Sequence, residues 1–561
     1  MIIKKRVTEM VLPDKYAYGI LFGCSGADGV NEHGQDFCGM LMPEPVTIRF
    51  DGETPVTLRI PVGAAAFDFI LPDALRCGAL TLAFADCRTV VGASALTPDI
   101  SAPGARTDGF GDARFLSANG FVYALVRRGD RFAFCRERTG EEAVRRAMAA
   151  LAQDLDALIE YRLDYYRRKP PCPRPEYEKL YYKCLAVNRV NVYSPQDGID
   201  CRFTTPDRLP HRHMWLWDSM FHAMAIARYD PALAKEAVWA VLQCQRNDGF
   251  IPHLMKSRTD VSRITQPQVI AWALLTIWRL DGDREFLARC AGKTAAYLDW
   301  FLTNRDANGN GLPEWDMNFD SGHCRCDESG MDNSPRFDVD EPLDAVDCAS
   351  FLAHDCRCMA EIWDILGEPE KRDRYAGVAD ETAKLVNDLL WDDALGAYCD
   401  RTLSGRLTGM LTVSSFLPMF AGICPPERAA RLVRLLRDAR KFATPLPVPS
   451  IARDDPLYGA DMWRGCVWIN YNYMIARGLR RSGYASDSDA LIETTLSCVN
   501  RIFERTGNIF EFYDAEDREI PWRLNRKGPQ PETPDYRVKM HAITDYNWTA
   551  SFLLLMLSGE K

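Results

Sequence analysis

Apolar side chains recur at helical spacing along most of the chain after residue 176. The segment 231–246 is typical, because its apolar residues fall on one helical face at a period of about 3.6 residues: Leu233, Ala237, Val238, Val241 and Leu242. The same criterion predicts twelve helices, at 176–194, 217–228, 231–246, 266–280, 283–303, 345–367, 369–391, 412–421, 426–438, 463–482, 485–506 and 544–558.

The connections between these helices alternate in length. They are long after the odd-numbered helices and short after the even-numbered ones. Strict alternation predicts helical hairpins whose long loops emerge at one end, and six hairpins closed in a ring form an (α/α)6 barrel. A helical solenoid would instead show a repeat of about 34–47 residues with recurring signatures, and we find none. We therefore predict a mainly α protein whose long loops pool into one concave site.

The chain before residue 176 has a different pattern. Alternating apolar and polar residues predict a hairpin around Asp51-Gly52, and further strands follow it. Apolar positions on one face predict a helix at about 140–167, and the proline-rich stretch 169–175 is typical of a stiff boundary. The predicted strands lie at 47–50, 56–60, 79–85, 113–118, 121–127 and 131–135. We expect a β-rich N-terminal domain (1–136), a linker helix with a proline-rich linker (137–175) and the barrel (176–561).

The charge and the cysteine content limit which partners, cellular compartment and metal sites we expect for the protein. The 68 Lys and Arg against 78 Asp and Glu give a formal net charge of −10, which argues against a nucleic-acid or anionic-membrane surface. The first residues have no apolar stretch typical of a signal peptide, and no segment is long and apolar enough to span a membrane. The 19 scattered cysteines are typical of reduced thiols, so we expect a cytoplasmic protein. The pairs Cys324/Cys326 and Cys356/Cys358, with His323 and His354, have poor spacing for zinc.

Two long loops carry the candidate chemistry. Asp332 lies in the loop 304–344, flanked by glycine, serine and proline, which indicates a fixed backbone that orients its side chain. Glu511 lies in the last long loop among aromatic residues, where a carboxylate is partly desolvated unless it is paired. Asp218, next to Trp217, could be a helix N-cap or could accept hydrogen bonds from sugar hydroxyls. Two carboxylates with indoles, amides and arginines favour a glycosidase.

The motifs at these positions resemble glycoside hydrolase family 63 and its trehalase relatives, over about 211–550. The run 328–338 is similar to the family's E-S-G-M-D-N-S-P-R motif, whose aspartate is the general acid. The segment Glu511–Asp514 is similar to its E-x-Y-D motif, whose glutamate is the general base. Other matches are W-D at 217–218, R-x-x-Q-P from Arg263, W-R-G at 463–465 and W-T-A at 548–550. Met462 departs from the usual tyrosine before W-R-G, and Cys466-Val467 depart from the usual Pro-Ile.

The resemblance implies an inverting, exo-acting hydrolase of an α-glucoside or α-mannoside, with Asp332 as acid and Glu511 as base. An acid role implies a raised pKa for Asp332, from burial and nearby negative charge. We expect substrate contacts from a larger set that comprises Trp217, Asp218, His253, Arg263, Gln266, Trp315, Glu328, Gly330, Arg336, Trp463, Arg464, Trp468, Tyr513 and Trp548. An (α/α)6 phosphorylase and a carbohydrate-binding protein without activity are the alternatives. The sugar, the linkage and the aglycone stay open.

One segment resembles a calcium loop. It begins D-x-N-x-N-G at Asp306, but Met317 stands where an EF-hand has its bidentate glutamate. Relatives carry calcium on a similar loop, which implies a structural Ca²⁺ held by Asp306, Asn308, Asn310 and Glu314; an Asn/Gly turn without metal is the other reading. We expect no cofactor for the chemistry itself.

Overall fold

The computed structural model describes residues 19–33, 37–43, 46–50, 52–62, 67–78, 80–528 and 542–559. The N-terminal segment, for which we expect no signal peptide, lies outside these residues, as does Asp51 of the predicted hairpin turn. No described helix is both long enough and apolar enough to cross a bilayer. No disulfide joins any of the 19 cysteines, all of which are among the described residues.

The N-terminal part is β-rich, as predicted. Among the described residues, thirteen strands form two antiparallel sheets, in the orders β1-β2-β3-β4-β9 and β10-β11-β12-β13-β8-β7-β6-β5. The strands are β1 Ile20–Gly23, β2 Cys38–Pro43, β3 Val46–Phe50, β4 Val56–Ile60, β5 Phe67–Ile70, β6 Ala74–Cys77, β7 Leu80–Asp86, β8 Thr89–Ala93, β9 Asp99–Ser101, β10 Asp108–Phe110, β11 Ala113–Ala118, β12 Phe121–Arg128 and β13 Arg131–Glu137.

Alternation decides which strand face is buried. In β3 the residues Val46, Ile48 and Phe50 are buried, while Thr47 and Arg49 are half-exposed. The apolar residues of both sheets, including Ile48, Leu58, Leu82 and Phe134, form one shared cluster. The sheets therefore pack face to face, and burial of this alternating pattern fixes the register, since a one-residue slip would expose it.

The predicted single helix at 140–167 is two helices, α1 Gly140–Leu151 and α2 Leu155–Arg167. The break has a local cause. Asp154 accepts the backbone N–H groups of Asp156 and Ala157, so its side chain starts a second helix. Helix α1 buries Ala143, Ala147 and Ala150 and contacts β8, β12 and β13. Helix α2 contacts β7.

All twelve predicted helices of the second part are present among the described residues. They are α3 Glu178–Val190, α4 Leu216–Ile226, α5 Pro231–Gln243, α6 Ile270–Asp281, α7 Arg284–Asn304, α8 Val346–Leu366, α9 Pro369–Leu389, α10 Leu417–Ala421, α11 Pro426–Leu436, α12 Ile469–Arg481, α13 Ala485–Thr506 and α14 Asn547–Ser558. The connections alternate between long and short, as the hydrophobic pattern predicts.

Six of these helices contact one another in a closed cycle. Helix α4 contacts α6, and α6 contacts α8. The series of contacts continues from α8 to α10, α12 and α14, and α14 contacts α4. The helices between them lie beside their neighbours: α5 contacts α4, α9 contacts α8 and α13 contacts α12. The members of the cycle are those that begin after a long loop, so their N-terminal ends and the long loops lie together.

Short two-stranded pairings tie the long loops to one another. Strand β16 (Met214–Trp215) of the α3–α4 loop pairs with β17 (Leu254–Met255) of the α5–α6 loop. Strand β18 (Leu343–Asp344) of the α7–α8 loop pairs with β21 (Arg401–Thr402) of the α9–α10 loop. Two further pairs lie within single loops: β14 Val192–Tyr193 with β15 Phe203–Thr204, and β19 Trp391–Asp392 with β20 Ala397–Tyr398.

Buried polar contacts join the β-rich part to the helices. Arg189 of α3 lies 2.8 Å from Asp28 and 2.9 Å from Asp73. The backbone N–H of Leu21 in β1 donates to Asp545 at 2.9 Å, just before α14. Lys183 of α3 pairs with the same aspartate at 2.6 Å. These contacts hold the N-terminal sheets against the start of α14.

Candidate active site

A pocket of about 230 Å³ opens where the long loops meet. Five of the six long loops supply its walls, together with the first residues of α4 and α14. Its lining residues are His211, Trp215, Trp217, Asp218, His253, Gln266, Asp327, Gly330, Asp332, Met462, Trp468, Glu511, Arg526, Lys527, Tyr546 and Trp548. The lining is polar and aromatic, which is the composition expected of a sugar site.

Nine of the sequence-predicted residues line this pocket. They come from segments far apart in the chain, and the fold brings them together: Trp217, Asp218, His253, Gln266, Gly330, Asp332, Trp468, Glu511 and Trp548. Local contacts set their orientation. The side-chain oxygen of Gln266 accepts the backbone N–H of Trp217 at 3.1 Å, and His253 Nδ1 lies 2.6 Å from the hydroxyl of Ser262.

Three predicted contact residues are instead buried in the framework of the acid-bearing loop. Glu328 is fully buried and pairs with Arg305, with a shortest distance of 2.7 Å. Arg336 contacts two buried aspartates, one of which is Asp347. The indole N–H of Trp315 donates to Asp347 at 2.9 Å. Glu328, Arg336 and Trp315 do not line the pocket, so the structure does not support direct sugar contact by them. Glu328 and the Trp315 indole have partners inside the protein. Arg336 is paired there through Nη1 and Nη2, while its Nε has no hydrogen-bond partner among the described residues.

Four further predicted residues also lie outside the pocket wall. Trp463 is buried behind Trp468, and their rings stack in parallel with centroids 3.8 Å apart. The Tyr513 hydroxyl is buried and accepts a backbone N–H at 2.9 Å. Arg464 pairs with an aspartate at 2.6 Å, and Arg263 is exposed. The sequence motif identifies both tryptophans, but it does not show which of them faces the cavity. The packing of the two rings places Trp468 there.

Seven lining residues are absent from the predicted set: His211, Trp215, Asp327, Met462, Arg526, Lys527 and Tyr546. Two of them are consecutive cations in a pocket with several carboxyl groups. His211 contacts Asp207 through Nδ1, and its Nε2 lies 3.5 Å from Arg526. The sequence does draw attention to Met462, which replaces the family's usual tyrosine, and to Arg526 and Lys527, which are consecutive cations. Neither feature indicates which residues of other loops these side chains contact.

Glu511 is held by a two-point ion pair. Arg526 Nε lies 2.9 Å from Glu511 Oε2, and Arg526 Nη2 lies 3.0 Å from Oε1. Both side chains are buried. The backbone N–H of Ile543 lies 3.4 Å from Oε2 and adds a third donor. This planar pairing fixes the carboxylate geometrically as well as electrostatically.

Asp332 is paired with a different cation. Lys527 Nζ lies 2.6 Å from Asp332 Oδ2. Burial by itself raises the pKa of a carboxyl, but the charge and hydrogen bond of Lys527, with the charge of Arg526, hold the pKa of Asp332 below its ordinary value. This corrects the expectation of a raised pKa for Asp332, because a cation rather than an excess of negative charge faces the group.

Asp218 has the opposite environment. Burial raises the pKa of Asp218 well above its ordinary value, and the charges of Glu511, Asp207 and Asp332 add to the shift. Its Oδ1 atom is buried and has no hydrogen-bond partner among the described residues. The indole N–H of Trp548 is also buried and also has no hydrogen-bond partner among the described residues. The pocket wall thus presents a buried acceptor and a buried donor whose hydrogen bonds a polar ligand can complete.

The predicted calcium loop is closed by its own hydrogen bonds. The Asp306 carboxylate accepts the backbone N–H of Asn310 at 3.0 Å. The side-chain amides of Asn308 and Asn310 donate to Asp344 at 3.2 and 2.8 Å. Burial raises the pKa of Glu314, and the charges of Asp344 and Asp306 raise it further. Each oxygen that accepts one N–H keeps a second lone pair. The loop therefore has oxygen ligands that suit a hard cation, and Arg401, 2.9 Å from Asp344, offsets part of its negative charge.

The described residues contain one compact group of His, Cys and carboxylate side chains elsewhere. The potential ligand atoms of His354, Asp355 and Cys358 lie within 4.8 Å of one another. The two oxygens of Asp355 accept the backbone N–H groups of Ala271 and Trp272 at the start of α6. This carboxylate therefore caps a helix.

Comparisons with known proteins identify the family. Residues 211–549 match the mannosylglycerate hydrolase MGH1-like glycoside hydrolase domain. A mannosylglycerate hydrolase from Rubrobacter radiotolerans is 25% identical over 407 residues, covering 56% of this chain and 88% of that protein. Mannosylglycerate hydrolase MGH1 from Selaginella moellendorffii is 24% identical over 461 residues, covering 66% and 87%.

Solved structures support the fold. The mannosylglycerate hydrolase of glycoside hydrolase family 63 from Thermus thermophilus, in complex with glucose, aligns with a TM-score of 0.54 at 23% identity. That alignment covers 67% of this chain and 99% of the other. The neutral trehalase Nth1 from Saccharomyces cerevisiae aligns with a TM-score of 0.51 at 15% identity, covering 69% and 80%.

We predict that Gly330→Ala disturbs the pocket through Trp217. Gly330 has φ +72°, and a Cβ there would lie 2.2 Å from a ring carbon of Trp217. Gly282→Ala is the matched control, because Gly282 has φ +67° and no atom within 4 Å of such a Cβ. Left-handed strain costs both variants about 1–2 kcal/mol, and overpacking adds about 1–3 kcal/mol for Gly330 alone. Chemical denaturation and tryptophan emission measure the difference; equal costs would contradict the packing argument.

Proposed function

The chain belongs to the mannosylglycerate hydrolase MGH1-like group of glycoside hydrolase family 63 and is a glycoside hydrolase, and we propose that it is an inverting, exo-acting enzyme. Its substrate is a small α-glucoside or α-mannoside. One observation carries the proposal: a single pocket combines two carboxylates from different loops, Asp332 and Glu511, with the unpartnered polar atoms of Asp218 and Trp548.

The two carboxylates have complementary roles in the proposed reaction. Protonated Asp332 donates its proton to the glycosidic oxygen as the bond to the anomeric carbon breaks. Glu511 accepts a proton from the water that attacks the same carbon from the opposite face. The products are one free sugar of inverted configuration and one alcohol. An inverting geometry requires room for the water, which corresponds to a carboxyl separation of about 6.5–9.5 Å.

The pocket supports recognition of a terminal sugar. Its volume of about 230 Å³ is below the roughly 300–1,000 Å³ of pockets for drug-sized ligands, which favours one sugar unit over an internal chain segment. Asp218 Oδ1 can accept from a sugar hydroxyl, and the Trp548 N–H can donate to one. The two relatives compared above are mannosylglycerate hydrolases, and glycerate carries a carboxylate. Lys527 in the pocket is compatible with such an anionic leaving group.

We also propose that the helical part is an (α/α)6 barrel. The cyclic contacts among α4, α6, α8, α10, α12 and α14 support it. The likeness to a family 63 enzyme and to a trehalase supports the same architecture. The barrel places the substrate at the N-terminal ends of the inner helices, where partial positive charge and backbone N–H groups are available.

A phosphorylase is the second candidate, because Arg526 and Lys527 provide positive charge in the pocket. Each of these cations is already paired with a carboxylate, at 2.9 Å for Arg526 and 2.6 Å for Lys527. A phosphate ion would have to displace one of these carboxylates from its cation. The pairing therefore favours hydrolysis, with Glu511 activating water.

We expect hydrolysis of glycosylglycerates or neutral α-linked disaccharides without phosphate. The assay incubates the protein with α-mannosylglycerate, α-glucosylglycerate and a set of disaccharides, with and without inorganic phosphate, and detects glucose and mannose separately. Proton NMR should show the β-anomer first from an α-linked substrate. Phosphate-dependent formation of a sugar phosphate would favour the phosphorylase, and calorimetric binding without turnover would favour a binding protein. Initial release of the α-anomer would overturn inversion.

We predict that Asp332→Asn and Glu511→Gln separate the two roles. Loss of a general acid or base costs about 10²–10⁴-fold in rate. Asp332→Asn should lose this activity on a poor leaving group but retain much more on a glycosyl fluoride, whose departure needs little protonation. Glu511→Gln should be impaired on both, unless azide replaces the water.

The matched control for these variants is Asp320→Asn, since Asp320 is exposed on the same loop as Asp332. It should keep wild-type rates on both substrates. Near wild-type turnover by Glu511→Gln on a glycoside would refute its role as base, and Asp514 would be the next carboxylate to test.

We propose, in addition, that the loop 306–314 binds a structural Ca²⁺ ion. Three carboxylates, of Asp306, Glu314 and Asp344, support this, although Arg401 pairs with Asp344 at 2.9 Å and offsets one of the charges. The ion would brace the beginning of the loop that carries Asp332. It takes no part in the proposed chemistry.

We therefore expect chelator to lower the melting temperature, because a ligand that binds only the folded state stabilises it by mass action. Excess EDTA followed by calcium readdition is measured by scanning calorimetry, with elemental analysis of the protein as purified. Asp306→Asn should abolish the response to calcium. An identical melting curve with and without chelator, together with absence of metal, would remove the proposal.

A further inference from the structure

Two adjacent residues hold the two proposed catalytic carboxylates. Arg526 pairs with Glu511, and the next residue, Lys527, pairs with Asp332. In a regular helix or strand, the side chains of consecutive residues point in different directions. Arg526 and Lys527 both point into the pocket, so the backbone between them needs an unusual conformation. Lys527 has φ +66°. A non-glycine residue in this region costs roughly 1–3 kcal/mol and persists only where its surroundings enforce it.

A single carboxylate enforces this conformation. Asp461 accepts the backbone N–H of Lys527 at 3.0 Å and that of Gly528 at 2.9 Å. It also accepts the side-chain N–H of Asn333 at 3.1 Å, and Asn333 directly follows Asp332. Asn333 in turn accepts the backbone N–H of Trp463 at 3.0 Å. Asp461 thus fixes the backbone at Lys527 and holds the side chain of Asn333, the residue that follows Asp332.

The charges around Asp332 come from several elements. Lys527 and Arg526 face it from the α13–α14 loop, and Arg526 is shared with Glu511. Asp327 and Cys324 lie on its own loop, and burial raises the pKa of Cys324 to about 11, so that thiol is neutral. Asp218 faces it from α4, and burial raises the pKa of Asp218 well above its ordinary value. The cation in direct contact is Lys527.

We propose that Lys527 is a positioning residue that holds Asp332 as a carboxylate in the free enzyme and releases it when substrate enters. This inference rests on the proposed hydrolase function, in which Asp332 must donate a proton. The leaving-group oxygen has to take the place beside Asp332 that the Lys527 ammonium occupies at 2.6 Å. Once the pair is open, Asp332 equilibrates with the protons of the bulk solvent, binds one and can act as the acid.

The exchange has a kinetic signature. The pH dependence of kcat/KM reports the free enzyme, and that of kcat reports the complex. Lys527 lowers the pKa of Asp332 in the free enzyme, so activity that needs protonated Asp332 is lost at lower pH in kcat/KM than in kcat. The alkaline limbs of the two profiles should be separated in the wild-type enzyme.

Lys527→Met removes the cation and keeps an apolar chain of similar length. Its alkaline limb in kcat/KM should move up by about one pH unit or more, the usual size of an ion-pair effect on a carboxyl, and should approach the limb in kcat. Lys527→Arg should restore the wild-type separation. A glycosyl fluoride, which needs no acid, should show no movement. Lys441→Met, which breaks a surface pair with Asp454, is the control and should leave every limb in place.

Melting temperatures provide a measurement that needs no substrate. Above the ordinary pKa of an aspartate, Lys527→Met and Asp332→Asn together should lower the melting temperature less than the sum of the single variants. This coupling should vanish as the pH falls through the lowered pKa of Asp332. Additive effects at neutral pH, or an unmoved alkaline limb in Lys527→Met, would overturn the proposal for Lys527. Absence of turnover by the wild-type protein on every glycoside would instead overturn the hydrolase function.

Discussion

The acid-bearing loop depends on one buried ion pair, between Glu328 and Arg305. Glu328 accepts two N–H groups from Arg305 and the backbone N–H groups of Thr265 and Asp316, at distances of 2.7–3.0 Å. It therefore joins the α5–α6 loop to two parts of the α7–α8 loop. Removing one partner of such a pair leaves an uncompensated buried charge, which costs about 3–5 kcal/mol. Asp332 lies four residues from this carboxylate.

Other buried carboxylates serve long loops and helix ends in the same way. Asp347 accepts from the Trp315 indole and contacts Arg336. Asp355 caps α6 with both oxygens, and burial raises the pKa of Asp355 to about 7. Asp461 accepts a backbone N–H from one loop and the side-chain amide of Asn333 from another, beside the pocket. Loops of this length carry many backbone groups without secondary-structure partners, and buried acids satisfy them where regular hydrogen bonding cannot.

Periodicity predicts the twelve helices after residue 176, but only six of the thirteen described strands in the N-terminal sheets. It succeeds where the burial of an apolar face is a local property of the sequence. The break at Asp154 escaped prediction, since an N-cap within an amphipathic stretch looks like one more polar position. Motif resemblance placed nine residues at the pocket, but it could not separate sugar contacts from the buried residues behind them. Glu328 and Asp332 are four residues apart in one motif, and only the position of Arg305 directs Glu328 inward.

The pKa of Asp332 is lowered rather than raised, and the reason is again a contact that the local sequence does not show. The acid-rich composition of the α7–α8 loop indicates negative surroundings, whereas the nearest charge is Lys527 from another loop, 195 residues later in the numbering. Contacts of that sequence separation depend on the closure of the whole fold. Sequence reasoning therefore identified which groups carry the proposed chemistry but not which charges they meet.

The hydrogen bond from Leu21 to Asp545 bears on how the molecule can be divided. All sixteen lining residues of the pocket come after residue 210, so a fragment without the β sheets would contain the whole wall. It would nevertheless lack the backbone donor that holds Asp545 at 2.9 Å, immediately before Tyr546 and Trp548. The β sheets thus contribute a backbone donor to the segment that leads into α14. They act as a brace on this segment, so recombining the helical part with a different N-terminal partner would leave Asp545 with Lys183 but without the Leu21 donor.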